Sequence, residues 1–300
     1  MRKLTLIFLF FLSSNSFAQN FFITSNFGLM GYGGDLEPKA ISLSLPHSTY
    51  SFGLTYELSR HIFINSLYTR GMIEGNDAYT LKNRERNLKF KSKINEFSIG
   101  AEYDFLDLYN LPITPFVQAN FSVFHFNPFL EEGIKTYYLR DYHTEGQGFL
   151  PNVPEYSLTQ FAVPLGVGFK IAISENIKAG LLLSIRKTFS DYLDDCSANY
   201  VDSVSLHKFF KDPKQGDLAT HLAYRKNLLN KDLYYSAAVS PGIISKRGDP
   251  TNNDNFFTLG LTLSIRLGKK YSEEMDFEKN NKINVSCPKK NTFVVPKIKP

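Results

Sequence analysis

Three sets of side chains in this 300-residue sequence have the types and spacing to do chemistry. The first is acidic. "SDYLDD" supplies Asp191, Asp194 and Asp195, and "GDPTNNDN" supplies Asp249 and Asp254 beside Asn252 and Asn253. Calcium takes carboxylate and carbonyl oxygens. The spacing matches no calcium-loop motif, so a metal reading competes with ordinary turn and cap chemistry by Asp and Asn. The second set is His125 with Ser122 and Ser157. A His–Ser pair is a nucleophile for acyl transfer only within hydrogen-bond reach. On a strand His125 and Ser122 have opposite parity, and no acid is fixed at matching depth, so most geometric checks for an active site are unmet. The third set is Glu57, Glu96, Glu102, Asp104, Lys170, Lys178, Arg186 and Arg266. These charges sit in otherwise apolar alternating segments.

Those segments must be strands. In "YSLTQFAVPLGVGFKIAIS" (156–174), Phe161, Val163, Leu165, Val167, Phe169, Ile171 and Ile173 alternate with small residues and Lys170. The same period of two runs through 50–58, 95–105, 177–189 and 255–268, and it is a strand signal. Weaker versions at 21–31, 61–73 and 114–126 bring the number to eight. Bulk on one face and Gly, Ser, Thr and charge on the other reverses the pattern of a soluble sheet, whose exposed face is richly charged. Short links at 59–61, 106–113 and 174–176 alternate with long ones at about 32–47, 74–90, 127–155 and 190–253. Strands of this length with short turns on one side and long loops on the other describe an all-β, eight-stranded antiparallel transmembrane barrel. The expected topology has periplasmic N- and C-termini and long extracellular loops, with outer-membrane lipid around the wall. A soluble sandwich or lipocalin-like barrel is the competing reading. Tyr50, Tyr56, Tyr103, Phe105, Phe189 and Phe256 lie near strand ends, where interfacial girdles sit.

Within that barrel the third set of charges faces the lumen. Glu57, Glu102, Asp104, Lys170, Lys178 and Arg266 fall toward the short-turn end, and Glu96 and Arg186 lie higher. A gated ion path is one reading. The other is a plug of salt bridges, since eight strands leave an interior that side chains just fill.

Outside the strands, "MRKLTLIFLFFLSSNSFAQN" has a basic start, an apolar run and small residues two apart, which predicts a signal peptide over 1–18. The barrel then occupies 19–268. A Lys-rich segment, 269–300, reads as a flexible periplasmic tail whose Lys269, Lys270, Lys279, Lys282, Lys289 and Lys290 are candidate docking residues. Cys196 falls in an outer loop and Cys287 in the tail, so they should not pair. In the last loop, 216–229 has helical spacing behind Asp217 as an N-cap. A net charge of +5, with no phosphate loop or zinc spacing, gives no support to nucleic acid or to a cofactor.

Several longer stretches carry a resemblance. "GYGGDL" (31–36), "RNLKFKSKINEFSIGAEYDF" (86–105), "TPFVQANFSVFHFNP" (114–128), "TEGQG" (144–148), "YSLTQFAVPLGVGFK" (156–170), "RKTFSDYLDDCSANYVD" (186–202) and "RGDPTNNDNF" (247–256) resemble the PorG-type outer-membrane β-barrel family of Bacteroidetes. That resemblance implies an eight-stranded barrel, accessory to the type IX secretion and gliding machinery, in contact with periplasmic ring and motor-linked subunits. It implies no catalytic residues. The function expected is therefore a non-enzymatic anchor. A surface module whose long loops bind an extracellular ligand or partner is the alternative, and a lipid-modifying enzyme is the third reading.

Overall fold

A computed structural model of the chain describes residues 20–80, 83–228 and 246–268. The expected signal peptide, and the tail with its six candidate docking lysines and Cys287, lie outside the described residues. Eight long strands form the wall: β1 (Phe21–Gly33), β2 (His47–Glu57), β3 (Ile62–Asn76), β4 (Lys89–Asp104), β5 (Ile113–His125), β8 (Thr159–Ser174), β9 (Ile177–Thr188) and β10 (Asn255–Arg266). Every neighbouring pair is antiparallel. The order β3-β2-β1-β10-β9-β8-β5-β4 closes through a β3–β4 ladder from Ile62↔Tyr103 to Asn76↔Lys89. A closed ladder leaves no edge, so the strand backbones can sit in hydrocarbon without unpaired groups.

The wall is greasy outside and small or polar inside. Phe161, Leu165, Val167, Phe169, Ile171 and Ile173 on β8 all point outward and are exposed. Leu181 on β9, Leu261 on β10, Phe52 on β2 and Phe27 on β1 continue that band around the circumference. Such a belt has no place in water. It is the lipid face of a membrane-spanning barrel. Gly28 and Gly260 face each other across β1 and β10, and a Cβ on Gly28 would lie 2.1 Å from the Leu259 carbonyl oxygen. Glycine is what permits that approach.

Above the wall the long connections are not slack. Residues 126–158 contain a hairpin absent from the sequence reading, β6 (Pro128–Glu132) with β7 (Lys135–Tyr138), and β6 extends the sheet at Lys91↔Phe129. The last connection carries α1 (Ser203–Phe209) and α2 (Pro213–Ala223). The helix expected behind Asp217 starts earlier, because Asp212 is the cap: its side chain accepts from the Lys214 N–H at 3.0 Å, and Pro213 takes the first turn. The two ends of this connection meet at its base. Asn199 bridges Lys246, and the Arg247 and Gly248 N–H groups donate to the Ala198 carbonyl, each at 2.8 Å.

One apolar cluster joins wall and loops. Met30, Tyr32, Ile73, Phe90, Ile94, Phe124 and Phe256 fill the upper lumen, and Leu36, Leu88, Leu130, Leu193 and Leu222 pack on them from above. Phe256 is therefore not a girdle residue. It is opposite Arg186 on the inward parity and is fully buried. Tyr50, Tyr103, Phe105 and Phe189 are exposed at the strand ends, as a girdle requires, and Tyr56 is half-buried. If the wall is solvated by lipid, Val167→Arg should destabilise the barrel by about 2–4 kcal/mol in vesicles. At a water-exposed position the change would stay within about 0.5 kcal/mol. Urea unfolding in phospholipid vesicles measures the difference.

Candidate functional site

The lumen charges pair by depth. At the short-turn end Lys170 Nζ bonds the Glu102 carboxylate and lies 2.9 Å from Asp104 Oδ1. Arg266 reaches Glu57 Oε2 at 2.6 Å and the Tyr109 hydroxyl at 2.6 Å. Lys178 has no hydrogen-bond partner for its ammonium among the described residues. It lies 4.3 Å from the Phe63 ring centroid and 4.6 Å from that of Phe22, where ring quadrupoles favour a cation. One level up, Arg186 faces Glu96 at 3.2 Å and donates to the Ser184 carbonyl at 2.9 Å. Between the two levels lie hydroxyl and amide contacts: Thr24 to Thr55 at 2.8 Å and Asn120 to Asn65 at 2.8 Å. The cavities left over measure about 30 and 20 Å³. That is room for a water or two, not for a solute. With the apolar cluster stacked above it, the lumen is a packed plug.

His125 and the serines do not assemble. His125 is exposed on the outer wall with its ring nitrogen 3.2 Å from Thr159 Oγ1. Ser122 points the other way, buried, and donates to the Ala162 carbonyl at 3.3 Å. Ser157 bonds the Thr159 carbonyl at 3.0 Å.

The acidic set is where loops converge, though not as one group. Asp195 sits in the left-handed region at φ 62°, so it and Asp194 diverge. Asp195 accepts from Tyr156 at 2.7 Å and from Thr144, and pairs with Arg247 at 3.5 Å. Asp194 accepts from Tyr32 at 2.6 Å and from the Cys196 N–H at 2.9 Å. Asp254 takes the same Tyr32 hydroxyl at 3.0 Å and the Leu193 N–H at 2.9 Å. Asp249 stays at the surface in a turn with Lys246 (3.0 Å) and Thr251 (2.8 Å), and does not join the others through its side chain. Asp191 is buried with the Ser197 hydroxyl beside its carboxylate.

Five residues that sequence reasoning did not single out complete this cluster: Asp35, Asp77, Arg86, Glu145 and Arg247. Asp35 accepts the Asp249 N–H at 2.9 Å. Arg86 grips Asp77 through two nitrogens at 2.7 and 2.8 Å. Arg247 pairs with Glu145 at 3.0 Å, while Glu145 also accepts the Ser197 and Ala198 N–H groups at 3.0 Å each. Their only trace in the sequence is that Asp35, Arg86, Glu145 and Arg247 fall inside "GYGGDL", "RNLKFKSKINEFSIGAEYDF", "TEGQG" and "RGDPTNNDNF". Those four stretches and "SDYLDDCS" meet here in space. Cys196 is buried and free; its thiol donates to the Arg247 carbonyl at 3.1 Å.

Burial sets the electrostatics of the cluster. It pushes Asp191 up to about 7, with the charge of Asp35 adding to the effect and the Ser197 hydroxyl opposing it. It raises Asp195 to about 6, against the pull of Arg247. It raises Asp194 and Asp254 well above the carboxylate range. Beside the cluster an open cleft of about 880 Å³ is bordered by Asp35, Arg86, Tyr200, Arg247 and Asn252.

Two outcomes follow. Arg186→Met, which strands Glu96 in the plug, should cost about 3–5 kcal/mol, and adding Glu96→Gln should recover most of it; vesicle unfolding of the single and double variants reads both. A carboxyl whose folded pKa is raised stabilises the fold when protonated. The Asp191 contribution is thus present below 3.8 and lost as the pH rises through about 7. Thermal melts should fall across that window, and less steeply in Asp191→Asn.

No curated protein matches the chain. Among solved structures it is similar to Neisserial surface protein A, at 9% identity over 82% of this chain and 96% of that one, with a TM-score of 0.40. It is similar to Ail, the attachment invasion locus protein of Yersinia pestis, in complex with a heparin analogue, at 6% identity over 82% and 97%, TM-score 0.37. The N-terminal β-barrel domain of Pseudomonas aeruginosa OprF shows 12% identity over 82% and 98%, TM-score 0.34. An even-stranded single-chain barrel with an apolar belt and long loops at one end is the architecture of bacterial outer membranes, and the outer membrane is where this chain resides. Its residues 1–211 match the family described as a domain of unknown function, DUF6089, and the chain belongs to that family.

Proposed function

We propose that the protein is a non-enzymatic outer-membrane barrel that acts as an accessory, anchoring component of the type IX secretion and gliding machinery. The plugged lumen carries this reading. A barrel packed with ion pairs and aromatic rings offers no path to a solute, so its work falls to the surfaces at its two ends. The resemblance to PorG-type barrels supplies the machinery. Four of the stretches that make it up, 31–36, 144–148, 186–202 and 247–256, contribute residues to the loop cluster. In this reading the short turns face the periplasm, where ring and motor-linked subunits are the partners, and the long loops face outward.

The cleft of about 880 Å³ favours a second reading, in which the outer loops hold an extracellular ligand or partner. Crosslinking in intact cells followed by recovery of the protein from outer membranes separates the two. Periplasmic ring subunits should be recovered with the intact protein. Recovery of surface partners alone would move the function to the outer loops.

A further inference from the structure

The outer face of the wall carries its charge at one end. On the outward parity of the eight wall strands the charged residues are Arg70 and Glu74 on β3, Lys89, Lys91 and Lys93 on β4, and Lys187 on β9, and all of them lie at the long-loop end. That is five bases against one acid. At the short-turn end the same parity holds Ile62, Tyr103, Ile113, Ile171 and Ile265, all exposed. Glu74 is itself taken by His47 at 2.7 Å, and Lys91 by Glu131 on β6 at 2.9 Å. Arg70, Lys89 and Lys93 have no ion pair among the described residues. The excess is felt locally: the hydrogen bond from Lys91 and the charges of Lys91, Lys93 and Lys89 hold the Glu131 carboxyl below its usual range.

The strands fix the depth of these groups. From the girdle residue Tyr103 up to Lys93, a rise of about 3.4 Å per residue and a tilt of about 40° give a height of about 26 Å, against an apolar band about 25 Å tall. Phe97 and Ile99, below Lys93 on β4, are exposed within that band. Tyr68 and Tyr50 mark its upper edge. Tyr68 donates its hydroxyl to Asn95 at 3.0 Å, and Tyr50 stands opposite Arg70. Arg70 is opposite Asn95, and Lys93 is the next residue above Asn95 on the same parity, so Arg70 and Lys93 are diagonal neighbours on one face. Diagonal side chains on a sheet start about 7–8 Å apart. One phosphate group can bridge that gap between a guanidinium and an ammonium.

We propose that Arg70 and Lys93 bind the phosphate of a phosphorylated lipid in the outer leaflet, with Lys89 adding to the field above and the acyl chains lying on Tyr68, Phe97 and Ile99. The leaflet rests on the orientation given above, with the long loops outside. Position selects the occupant. A wall bathed in lipid has headgroups against it at this depth, and paired cations there attract an anionic one. Phosphate oxygens accept charge-assisted hydrogen bonds from both side chains. A zwitterionic headgroup brings its own cation and gains little.

The test uses the full chain folded in detergent micelles and captured on an affinity resin. Diphosphoryl lipid A is the probe, and mass spectrometry measures the amount retained. The expected result is saturable retention that salt weakens and that dephosphorylated lipid A does not show. Each basic group near an anionic lipid contributes a factor of about five, so Arg70→Gln combined with Lys93→Gln should weaken binding about twentyfold. Lys187→Gln, on β9 across the barrel, should leave it unchanged. Unchanged melting of the double variant separates lost binding from lost folding. Inorganic phosphate should fail to displace the lipid; displacement would make the ligand a free anion and overturn the lipid. Equal retention of dephosphorylated lipid A, or equal affinity in the double variant, would overturn the site. Orientation is read separately. Ile134→Cys, at the fully exposed tip of the β6–β7 hairpin, should take a membrane-impermeant maleimide in intact cells beyond the parent protein. If it does not, binding in micelles would stand and the outer-leaflet assignment would fall.

Discussion

Hydrocarbon on the outside is the constraint from which the rest of this molecule follows. It demands that every strand find two neighbours, which the β3–β4 ladder completes. It also turns the usual packing inside out. Phe161, Leu165, Val167 and Phe169 gain nothing by facing inward and are turned to lipid, so β8 offers the lumen Ala162, Pro164, Gly166, Gly168 and Lys170. A narrow interior lined with small and polar groups must then satisfy itself. Lys170 with Glu102 and Asp104, Arg266 with Glu57, and Arg186 with Glu96 do so in two tiers. Where the wall rises out of the membrane the rule reverts, and Phe90, Ile94, Phe124 and Phe256 turn inward as in any soluble protein.

That reversal makes the loop cluster possible. The apolar rings at the top of the lumen act as a floor for Leu36, Leu193 and Leu222, and on this floor the polar residues of distant connections are held in fixed relation. Tyr32 shows the coupling. It stands at the end of β1, packs edge-on against Phe90 at 4.9 Å, and presents its hydroxyl to Asp194 and Asp254. Burial concentrates charge there to a degree that a solvated loop would not.

The wall was legible in the sequence because one physical signal, period-two alternation, suffices to define it. Ranges read from β8, β9 and β10 agree with the structure to within a few residues. Phe256 was misassigned because proximity to a strand end was weighed without parity; its neighbours on β10 already placed it inside. The loop cluster was legible only in part. Asp194, Asp195 and Asp254 stood out by type, but their partners are Tyr32, Tyr156 and Arg247, tens to hundreds of residues away. No local pattern encodes that meeting. Nor does spacing reveal that a left-handed Asp195 sends two adjacent carboxylates to different neighbours. The β6–β7 hairpin was missed for a simpler reason: four- and five-residue strands are too short to show a period.

The bridge between Asn199 and Lys246 has a bearing on how such a chain can change. It cinches the excursion between β9 and β10 at its neck, while Leu222 returns to the apolar floor and Arg225 to Glu132 on β6. The entropy of closing a loop rises slowly with its length, by about 0.6 kcal/mol per doubling. Surface sequence that carries none of these contacts can therefore be lengthened, shortened or exchanged at little expense to the wall, provided Arg247 still meets the Ala198 carbonyl and Leu222 its floor. The protein is in effect a socket whose head is held at several points, and a graft meant for display belongs in the surface sequence between them.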